Sequence, residues 1–319
     1  MTIRVALIGR GMAGTVFHAP LIRALPAFEL AAIAGAADAA EAIASPAIDL
    51  VVVATPNLTH YPLAAAALEA GKHVVVDKPF AVTVAEADAL IALAAAKRRI
   101  LTVFHNRRWD GDFLTARSLV ESGRLGDIRL FEAHWDRFRP VPKPGWREEP
   151  AEGAGLLWDL GPHLIDQALV LFGRPDGVSA DVAVQRPGAR ADDYFDLTLR
   201  YGAMRARLSA STLVAEPRPR FAIHGSAGSF VKYGLDPQEE ALRRGIVPLY
   251  PGFCREASPS DGIIARADGG REPVATRPGR YLAFYEGVAA SIAGVAPPPV
   301  DPADARQGLE IIAAAYSGA

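Results

Sequence analysis

The sequence predicts an α/β fold, in which an N-terminal doubly wound parallel sheet is followed by an α+β domain with a large, mostly antiparallel open sheet. The length of 319 residues exceeds one typical domain. Near the N-terminus, short β-branched runs alternate with alanine-rich stretches, which is typical of βαβ units. After about Asp110, apolar residues partly alternate with polar ones, as in an antiparallel sheet with one covered face. We therefore expect two domains, residues 1–109 and residues 110–319.

The parallel sheet is predicted from five short runs that are apolar on both faces, as expected for strands covered by helices. The stretches between them are rich in good helix formers. The predicted strands are residues 3–8, 30–34, 50–54, 73–76 and 100–104, and the predicted helices are 14–25, 62–70 and 84–96. The stretch from Ala34 to Ala44 is about a dozen residues shorter than a second helix and third strand normally need. Either this unit is reduced or residues are absent from the sequence.

The second domain is predicted from a hairpin, two further strands and three helices. The helices are residues 112–121, 281–293 and 303–316, the hairpin strands are 194–200 and 205–209, and the further strands are 220–225 and 229–233. Proline- and glycine-rich residues 248–279 are expected to be loop. We expect one apolar face of this sheet to lack helices. Exposed apolar surface indicates a partner, so we predict a homodimer or homotetramer through the C-terminal sheet.

Composition argues against several classes of partner. The chain has 34 Lys+Arg and 36 Asp+Glu, which leaves no basic excess for nucleic acid or a membrane surface. Its apolar runs are too short for a signal peptide or a membrane span. Cys254 is the single cysteine, and the seven histidines lack metal-site spacing. We expect a cytoplasmic, metal-free protein with no nucleic-acid or membrane partner.

A glycine turn follows the first strand and opens the first helix. It matches G-x-G-x-x-G and reads Gly9-Arg10-Gly11-Met12-Ala13-Gly14. The pattern alone is weak, but in this position it indicates the dinucleotide site of a Rossmann domain. Gly9 would form the tight turn, Gly11 would admit the pyrophosphate, and Gly14 would let helix and strand pack closely. The alternative is an alanine- and glycine-rich helix entry without a ligand.

Cofactor preference should depend on the end of the second strand. NAD sites usually place an acid there for the ribose 2′-hydroxyl. Here Ala34-Gly35-Ala36-Ala37 intervene, and the first acid is Asp38. With Arg10 in the turn, a 2′-phosphate is easier to accommodate, so NADP is preferred over NAD. The alternative is that Arg10 is solvated and Asp38 serves NAD.

Hydride transfer from an alcohol needs a group that accepts the hydroxyl proton. Lys78, in Asp77-Lys78-Pro79, follows the fourth strand, where doubly wound folds bind ligands. The alternative for Lys78 is a surface lysine that extends into solvent. His163 has the chemistry for proton transfer near neutral pH and lies four residues after Asp159.

The helix that carries His163 is expected to begin next to Asp159. Pro162 suits a first helical turn, and Gly173 suits the end of the helix. Asp159 would then lie just before the helix, with His163 in its first turn, so that both face one cleft. The alternative is that Asp159 caps the helix and His163 is a packed interface histidine.

Together these motifs resemble the Gfo/Idh/MocA oxidoreductases from end to end. The resemblance is carried by the glycine turn, by Ala54-Thr55-Pro56-Asn57-Leu58-Thr59-His60, by Gly71-Lys72-His73 leading into Asp77-Lys78-Pro79, and by Asp159 with His163. Residues 104–114, 155–163 and 230–237 resemble the branch that contains NADP-dependent scyllo-inositol dehydrogenases. Most of the wider family has Glu where this chain has Asp77.

The resemblance implies a role for each motif residue. His163 would exchange the substrate proton with help from Lys78, while Asp159 orients the substrate or His163. The implied cofactor residues are Gly9, Arg10, Gly11, Met12, Ala13, Gly14, Thr55, Pro56, Asn57, His60, Asp77 and Lys78. The implied substrate residues are Asn106, Arg108, Trp146, Arg147, Asp159 and His163.

We therefore predict an NAD(P)-dependent oxidoreductase that acts on a cyclic polyol or sugar, without metal. One alternative is a regulatory protein that senses the dinucleotide without turnover. Another is a structural subunit whose sheet serves assembly alone.

Overall fold

The computed structural model of the protein describes residues 2–250, 253–254 and 261–318. Within these residues, five parallel strands form the first sheet, in the order β2-β1-β3-β4-β5. They are β1 (Ile3–Ile8), β2 (Phe28–Ala34), β3 (Leu50–Val53), β4 (His73–Asp77) and β5 (Leu101–Phe104). All five predicted strands are confirmed, with ends that differ by one or two residues. The whole of β3 and β5 is buried, as expected for strands covered on both faces.

The helices of this sheet are α1 (Ala19–Ala24), α2 (Ala39–Ala44), α3 (His60–Glu69) and α4 (Val84–Lys97). A π-helical turn, Ala13–His18, leads into α1. The Ala19 N–H donates to the carbonyl of Gly14, five residues earlier. Pro20 has no N–H to continue the α-helical pattern, so the wider turn accommodates the proline.

The connection from β2 to β3 contains the helix α2, which has six residues. Lys72 is buried, and its ammonium donates to the carbonyl oxygens of Ser45 and Ile48, at 2.7 and 2.8 Å. This side chain satisfies one carbonyl at the C-cap of α2 and another in the segment between α2 and β3. The stretch that looked too short therefore holds a short helix and leads to a complete strand.

Among the described residues, eight strands form the second sheet, in the order β13-β12-β11-β10-β6-β9-β8-β7. They are β6 (Ile128–Asp136), β7 (Gly177–Ala183), β8 (Tyr194–Tyr201), β9 (Met204–Ser211), β10 (Phe221–Gly225), β11 (Gly228–Lys232), β12 (Gly262–Ala265) and β13 (Arg271–Val274). β6 and β9 are parallel, and the other neighbours are antiparallel. The predicted fold class and hairpin are confirmed.

The prediction of a continuous loop over residues 248–279 is wrong for β12 and β13. Both strands are short and lie between glycine- and proline-rich segments, which hides their pattern. Pro273 is tolerated in β13 because this strand lies at the edge of the sheet, where one face of its backbone needs no partner. Residues 251–252 and 255–260 of the predicted loop lie outside the described residues.

The remaining helices are α5 (Gly111–Glu121), α6 (Leu156–Phe172), α7 (Gln238–Arg243), α8 (Leu282–Ile292) and α9 (Pro302–Tyr316). The three helices predicted for the second domain correspond to α5, α8 and α9. None of the helices in the described ranges is long and apolar enough to cross a membrane.

The second sheet has one apolar and one charged face. Leu197 and Leu199 of β8 are fully buried, and α6 packs on β6, β8 and β9. On the opposite face, Arg207 lies 3.8 Å from Glu132 and 3.4 Å from Asp196 across neighbouring strands. The expectation of an uncovered apolar face is therefore wrong, because the alternation of the strands places charges on that side. The homodimer or homotetramer stays a prediction.

The chain divides into two compact units. The first comprises Met1–Trp109, Pro237–Arg255 and Arg280–Leu309, and contains the first sheet with α1–α4, α7 and α8. The second comprises Asp110–Asp236, Glu256–Gly279 and Glu310–Ala319, and contains the second sheet with α5 and α6. The chain thus returns to the first unit twice after Asp110.

Candidate active site

The candidate cofactor residues lie at one end of the first sheet. β1, β3 and β4 are adjacent, and β1 has β2 on its other side, so the strand order reverses at β1. Open α/β sheets bind ligands outside the carboxyl ends of their strands at such a reversal. The structure brings the glycine turn, residues 55–57 and the Asp77-Lys78 turn to these adjacent strand ends.

The glycine turn has the shape of a phosphate cradle. Gly9 has a φ of +133°, and a Cβ there would lie 2.0 Å from the carbonyl oxygen of Ala54. A Cβ on Gly14 would lie 2.1 Å from the carbonyl oxygen of Gly9. Gly11 is exposed, and no described atom lies within 4 Å of its Cβ position. The open side of Gly11 leaves room for a pyrophosphate to approach the backbone.

Alanine at Gly9 or Gly11 should separate folding from dinucleotide binding. We expect Gly9→Ala to lower the free energy of unfolding by about 1–3 kcal/mol, because its Cβ overlaps a carbonyl at a positive φ. Gly11→Ala should change that free energy by less than about 0.5 kcal/mol. Its methyl group should nevertheless raise the dinucleotide Kd at least about tenfold by filling the space that the phosphate needs. Urea unfolding measures the free energy of unfolding, and dinucleotide titration measures the Kd. Equal destabilisation by both variants would contradict the prediction.

Arg10 and Asp38 form an ion pair at the end of β2. Arg10 Nη2 lies 2.5 Å from Asp38 Oδ2 and donates to the carbonyl of Ile33 at 3.3 Å. The Gly35 N–H donates to Asp38 Oδ1 at 2.7 Å. This hydrogen bond, followed by the charge of Arg10, lowers the pKa of Asp38. The candidate phosphate-binding cation and the candidate ribose-binding acid are thus adjacent.

Residues 55–57 follow β3, with Pro56 exposed, Thr55 half-buried and Asn57 buried. His60, at the start of α3, is fully buried behind them. Its Nε2 lies 2.9 Å from the carbonyl oxygen of Thr55, and its Nδ1 lies 2.7 Å from that of Pro79.

Both ring nitrogens of His60 are thus engaged by backbone. Burial lowers the pKa of His60, against the opposing effects of Asp77 and the two carbonyls. Its side chain holds the loop after β3 to the turn after β4. A direct contact between His60 and the cofactor stays a prediction.

Asp77 and Lys78 form the turn after β4. Asp77 Oδ1 accepts the backbone N–H of Lys78 at 2.9 Å. Burial raises the pKa of the Asp77 carboxyl, but His18, Lys78 and His60 together lower it more, so the carboxyl is ionised at neutral pH. The Lys78 side chain is half-buried, as a residue that meets a ligand should be.

α6 begins earlier than the sequence predicts. Its first residue is Leu156, so Asp159 lies within the helix and Pro162 well inside it. The prediction that Asp159 precedes the helix is therefore wrong, while the predicted end at Gly173 is confirmed. The N-terminus of α6 is held from a distance, since Asp192 Oδ2 accepts the N–H of Leu157 at 2.7 Å. A residue 35 positions away thus replaces a local cap.

Asp159 and His163 lie one helical turn apart and share a face of α6. His163 is buried, and its ring stacks on Trp135 of β6 with 5.7 Å between centroids. Asp159 is bracketed by two cations, with Arg137 Nη1 at 3.3 Å and Arg147 Nε at 3.5 Å. The second unit therefore presents a histidine, a carboxylate and two guanidinium groups in one place.

The substrate residues expected from the resemblance fall in both units. Trp146 belongs to the second, and the guanidinium of Arg147 lies 4.5 Å from its ring centroid. Asn106 and Arg108 belong to the first. Asn106 is buried, and Arg108 Nη2 lies 3.0 Å from Asp304 Oδ2. Within the second unit, the structure therefore brings Arg147 beside Asp159, with Trp146 in contact with Arg147.

Within the ranges that the structure describes, no group of three or more His, Cys, Asp or Glu residues could hold a metal ion.

Sequence comparisons identify the family. Residues 33–105 match the oxidoreductase family with an NAD-binding Rossmann fold, and residues 113–231 match the GFO/IDH/MocA C-terminal domain. The oxidoreductase YdgJ of Escherichia coli (strain K12) is 45% identical over 97% of this chain and 94% of its own length. The chain belongs to the Gfo/Idh/MocA oxidoreductase family. Its first unit is an NAD(P)-binding Rossmann domain.

Other Gfo/Idh/MocA proteins are similar over nearly the full chain. The scyllo-inositol 2-dehydrogenase (NADP(+)) IolW of Bacillus subtilis (strain 168) is 39% identical, over 98% of this chain and 91% of its own. The structure of the oxidoreductase yvaA from Bacillus subtilis superposes with a TM-score of 0.95 at 38% identity, covering 99% of this chain and 96% of the other. The family membership expected from the motifs is confirmed.

Four residues near the candidate site were not singled out from sequence. Arg137 follows β6, a strand without clean alternation, and Asp192 contacts a helix far from it in sequence. His18 and Tyr285 approach Asp77 and are described below. None of them belongs to a local motif, although His18 in a helix of small and apolar residues was a visible signal.

Proposed function

We propose that this Gfo/Idh/MocA protein transfers a hydride between a nicotinamide dinucleotide and a CH–OH carbon of a cyclic polyol or sugar. The observation that carries this function is the pairing of Asp159 and His163 on one face of α6, with Arg137 and Arg147 against the carboxylate. Several donors and acceptors in one place suit a substrate with several hydroxyl groups. The name of the inositol dehydrogenase relative supports the same substrate class.

Each side chain has a distinct task in the proposed oxidation. A bound dinucleotide supplies the hydride acceptor at its nicotinamide ring. His163 accepts the proton of the substrate hydroxyl while the carbon becomes a carbonyl. The Lys78 ammonium donates to the same oxygen and stabilises the charge that develops there. Asp159 accepts from a neighbouring hydroxyl group and orients the ring.

The proposed cofactor contacts follow the strand ends. The backbone of residues 11–13 holds the pyrophosphate, because Gly11 leaves that side open. Thr55, Pro56 and Asn57 line the nicotinamide ribose with Asp77 beside them. His60 contributes through the loops that it joins.

We propose NADP as the preferred cofactor, with Arg10 as the residue that selects it. Arg10→Ala should raise KM for NADPH by about 10–100-fold and leave KM for NADH nearly unchanged, since a charge-assisted hydrogen bond contributes about 1.5–3 kcal/mol. Steady-state kinetics with both cofactors measures this, with Arg23→Ala on exposed α1 surface as the control. If Arg10→Ala spares NADPH while Asp38→Ala weakens NADH, the preference is for NAD.

The decisive experiment for the proposed function is a turnover screen. Inositols, aldoses and keto-sugars are offered with each dinucleotide, and absorbance at the nicotinamide band is followed in both directions. Turnover of at least one polyol or sugar is expected. Tight dinucleotide binding without turnover of any of them would favour a sensing protein. Failure of both dinucleotides to raise Tm would favour a structural subunit.

We also propose assembly as a homodimer or homotetramer through the second sheet. Its charged face carries Arg207 between Glu132 and Asp196. Charges of both signs on one face can pair with a second copy. Sedimentation that shows a monomer at micromolar concentration would contradict this assembly.

A further inference from the structure

A tyrosine, a histidine and an aspartate lie in line behind the Lys78 turn. His18, at the end of the π-helical turn, and Tyr285, in α8, are both fully buried. The Tyr285 hydroxyl lies 2.6 Å from His18 Nδ1, and His18 Nε2 lies 3.9 Å from Asp77 Oδ1. The His18 ring also packs on Phe104, with 4.2 Å between centroids. All of these residues belong to the first unit. We call Tyr285, His18 and Asp77 the buried triad.

The donors and acceptors in the buried triad can be assigned. Within the described residues, the Tyr285 hydroxyl makes no other hydrogen bond. Burial, followed by the negative charge of Asp77, raises the pKa of Tyr285 well above its ordinary value, so the phenol keeps its proton. Tyr285 therefore donates to Nδ1 of His18. In a neutral imidazole this leaves the ring proton on Nε2, the nitrogen that faces Asp77.

Packing alone does not account for these polar atoms. Phenylalanines at both positions would fill the same volume among the surrounding aromatic rings. They would also avoid burying a hydroxyl and two ring nitrogens, which is unfavourable without partners. In the described part of the chain, His18 Nε2 has no hydrogen-bond partner, and the charged group nearest to it is the Asp77 carboxylate. The polar atoms are therefore directed at Asp77.

Titratable groups approach Asp77 from several elements. His18 approaches from the π-helical turn, His60 from the start of α3, Lys78 from the same turn and Tyr285 from α8. Asp77 in turn holds the Lys78 backbone through its N–H. Movement of this carboxylate would therefore displace the residue that follows it.

We propose that His18 and Tyr285 are positioning residues that hold the Asp77 carboxylate, and through it Lys78, in place for the dinucleotide and the substrate. Their part in catalysis rests on the proposed function above. His18 comes from the π-helical turn that begins within the glycine motif, and Tyr285 comes from α8, so neither belongs to the Asp77-Lys78-Pro79 turn.

Single-oxygen and ring variants test this role. Tyr285→Phe removes the hydroxyl and keeps the ring, and His18→Phe removes both nitrogens and keeps the packing on Phe104. Tyr281→Phe is the matched control, because its buried hydroxyl accepts from Arg107 Nη1 at 2.6 Å and belongs to the same unit. His18→Gln provides an N–H donor at similar reach, so it should show a smaller change than His18→Phe.

Two readouts are independent of any sugar substrate. Carboxyl ¹³C NMR of aspartate-labelled protein follows the titration of Asp77, and fluorescence titration gives the NADPH Kd as a function of pH. In both triad variants the pKa of Asp77 should rise, because burial is less opposed once the His18 N–H is removed or is no longer fixed toward the carboxylate. Asp77 is needed as a carboxylate, so the loss of NADPH affinity on acidification should begin at correspondingly higher pH. The pH profile of kcat/KM should also shift to higher pH in the triad variants. Tyr281→Phe should follow the wild-type profile.

Each outcome decides the role of the buried triad. If the titration of Asp77 is unchanged in Tyr285→Phe, the positioning role is overturned. Tyr285→Phe alone tests this role if His18→Phe does not fold. A shifted titration with an unshifted NADPH profile overturns the positioning role, as does an equal shift in Tyr281→Phe. If wild-type protein binds dinucleotide but turns over no substrate, the proposed function fails while the two readouts still test His18 and Tyr285. If it binds neither dinucleotide, both the proposed function and the positioning role fail.

Discussion

Replacing His163 with asparagine is expected to lower kcat by about 10²–10⁴-fold, while KM and the dinucleotide Kd change by only a few-fold. Asparagine is close in size and can keep the contact with Trp135, but its amide cannot exchange a proton near neutral pH. A loss confined to kcat indicates an interaction made in the transition state. Steady-state kinetics on the substrate found in the turnover screen measures it.

His224→Asn is the matched control for His163. It changes another histidine of the second unit, in β10, whose Nε2 lies 3.8 Å from Glu132. Its kcat should equal that of the wild type. A kcat for His163→Asn within a few-fold of wild type would show that this histidine does not transfer the proton. Melting curves of both variants exclude a loss by unfolding.

Replacing Lys78 with methionine is expected to lower kcat/KM by about 10²–10³-fold. Methionine keeps the length of the side chain but removes the ammonium, and loss of one donor to a developing oxyanion typically has this effect. Lys97→Met, at the end of α4, is the control, because Lys97 pairs with Glu69 and lies outside the site. Lys78→Ala should regain activity with added primary amines, which can occupy the vacated space. Wild-type activity in Lys78→Met, or no response to amines in Lys78→Ala, would count against the assignment.

Combining Lys78→Met with His163→Asn tests whether the two residues act on one substrate oxygen. Residues that act as a unit show strongly non-additive effects. The double variant should therefore lose much less activity than the product of the two single losses. Fully multiplicative losses would show that the two side chains act in separate steps.

The strands of the first sheet, the hairpin and most helices were predictable because their signals are local, whereas β6 and β7 were not singled out. The buried runs of β1, β3 and β4 are apolar on both faces, and the βαβ rhythm follows from their spacing. The glycine turn was also predictable from sequence. Gly9 and Gly14 are required there, because a Cβ at either position would overlap a backbone carbonyl. β12 and β13 were missed because the pairing of β12 with β11 and of β13 with β12, rather than their own composition, makes them strands.

The start of α6 shows why a local pattern can mislead. Pro162 indicated a first helical turn, but a proline inside a helix is tolerated where tertiary packing compensates for the lost hydrogen bond. The actual N-terminus depends on Asp192, which lies in another segment and accepts the N–H of Leu157. Asp159, which was predicted to lie just before the helix, therefore lies within it, on the same face as His163.

The sequence by itself determined the α/β class, the glycine turn and the family, because these depend on patterns within short windows and on the order of motifs along the chain. Tertiary structure alone decided which side chains surround them. His60 joins two loops, Arg137 brackets Asp159, and His18 meets Tyr285 across 267 residues. Such contacts depend on how whole elements pack, and side chains that are distant in sequence carry no local signal of their partners.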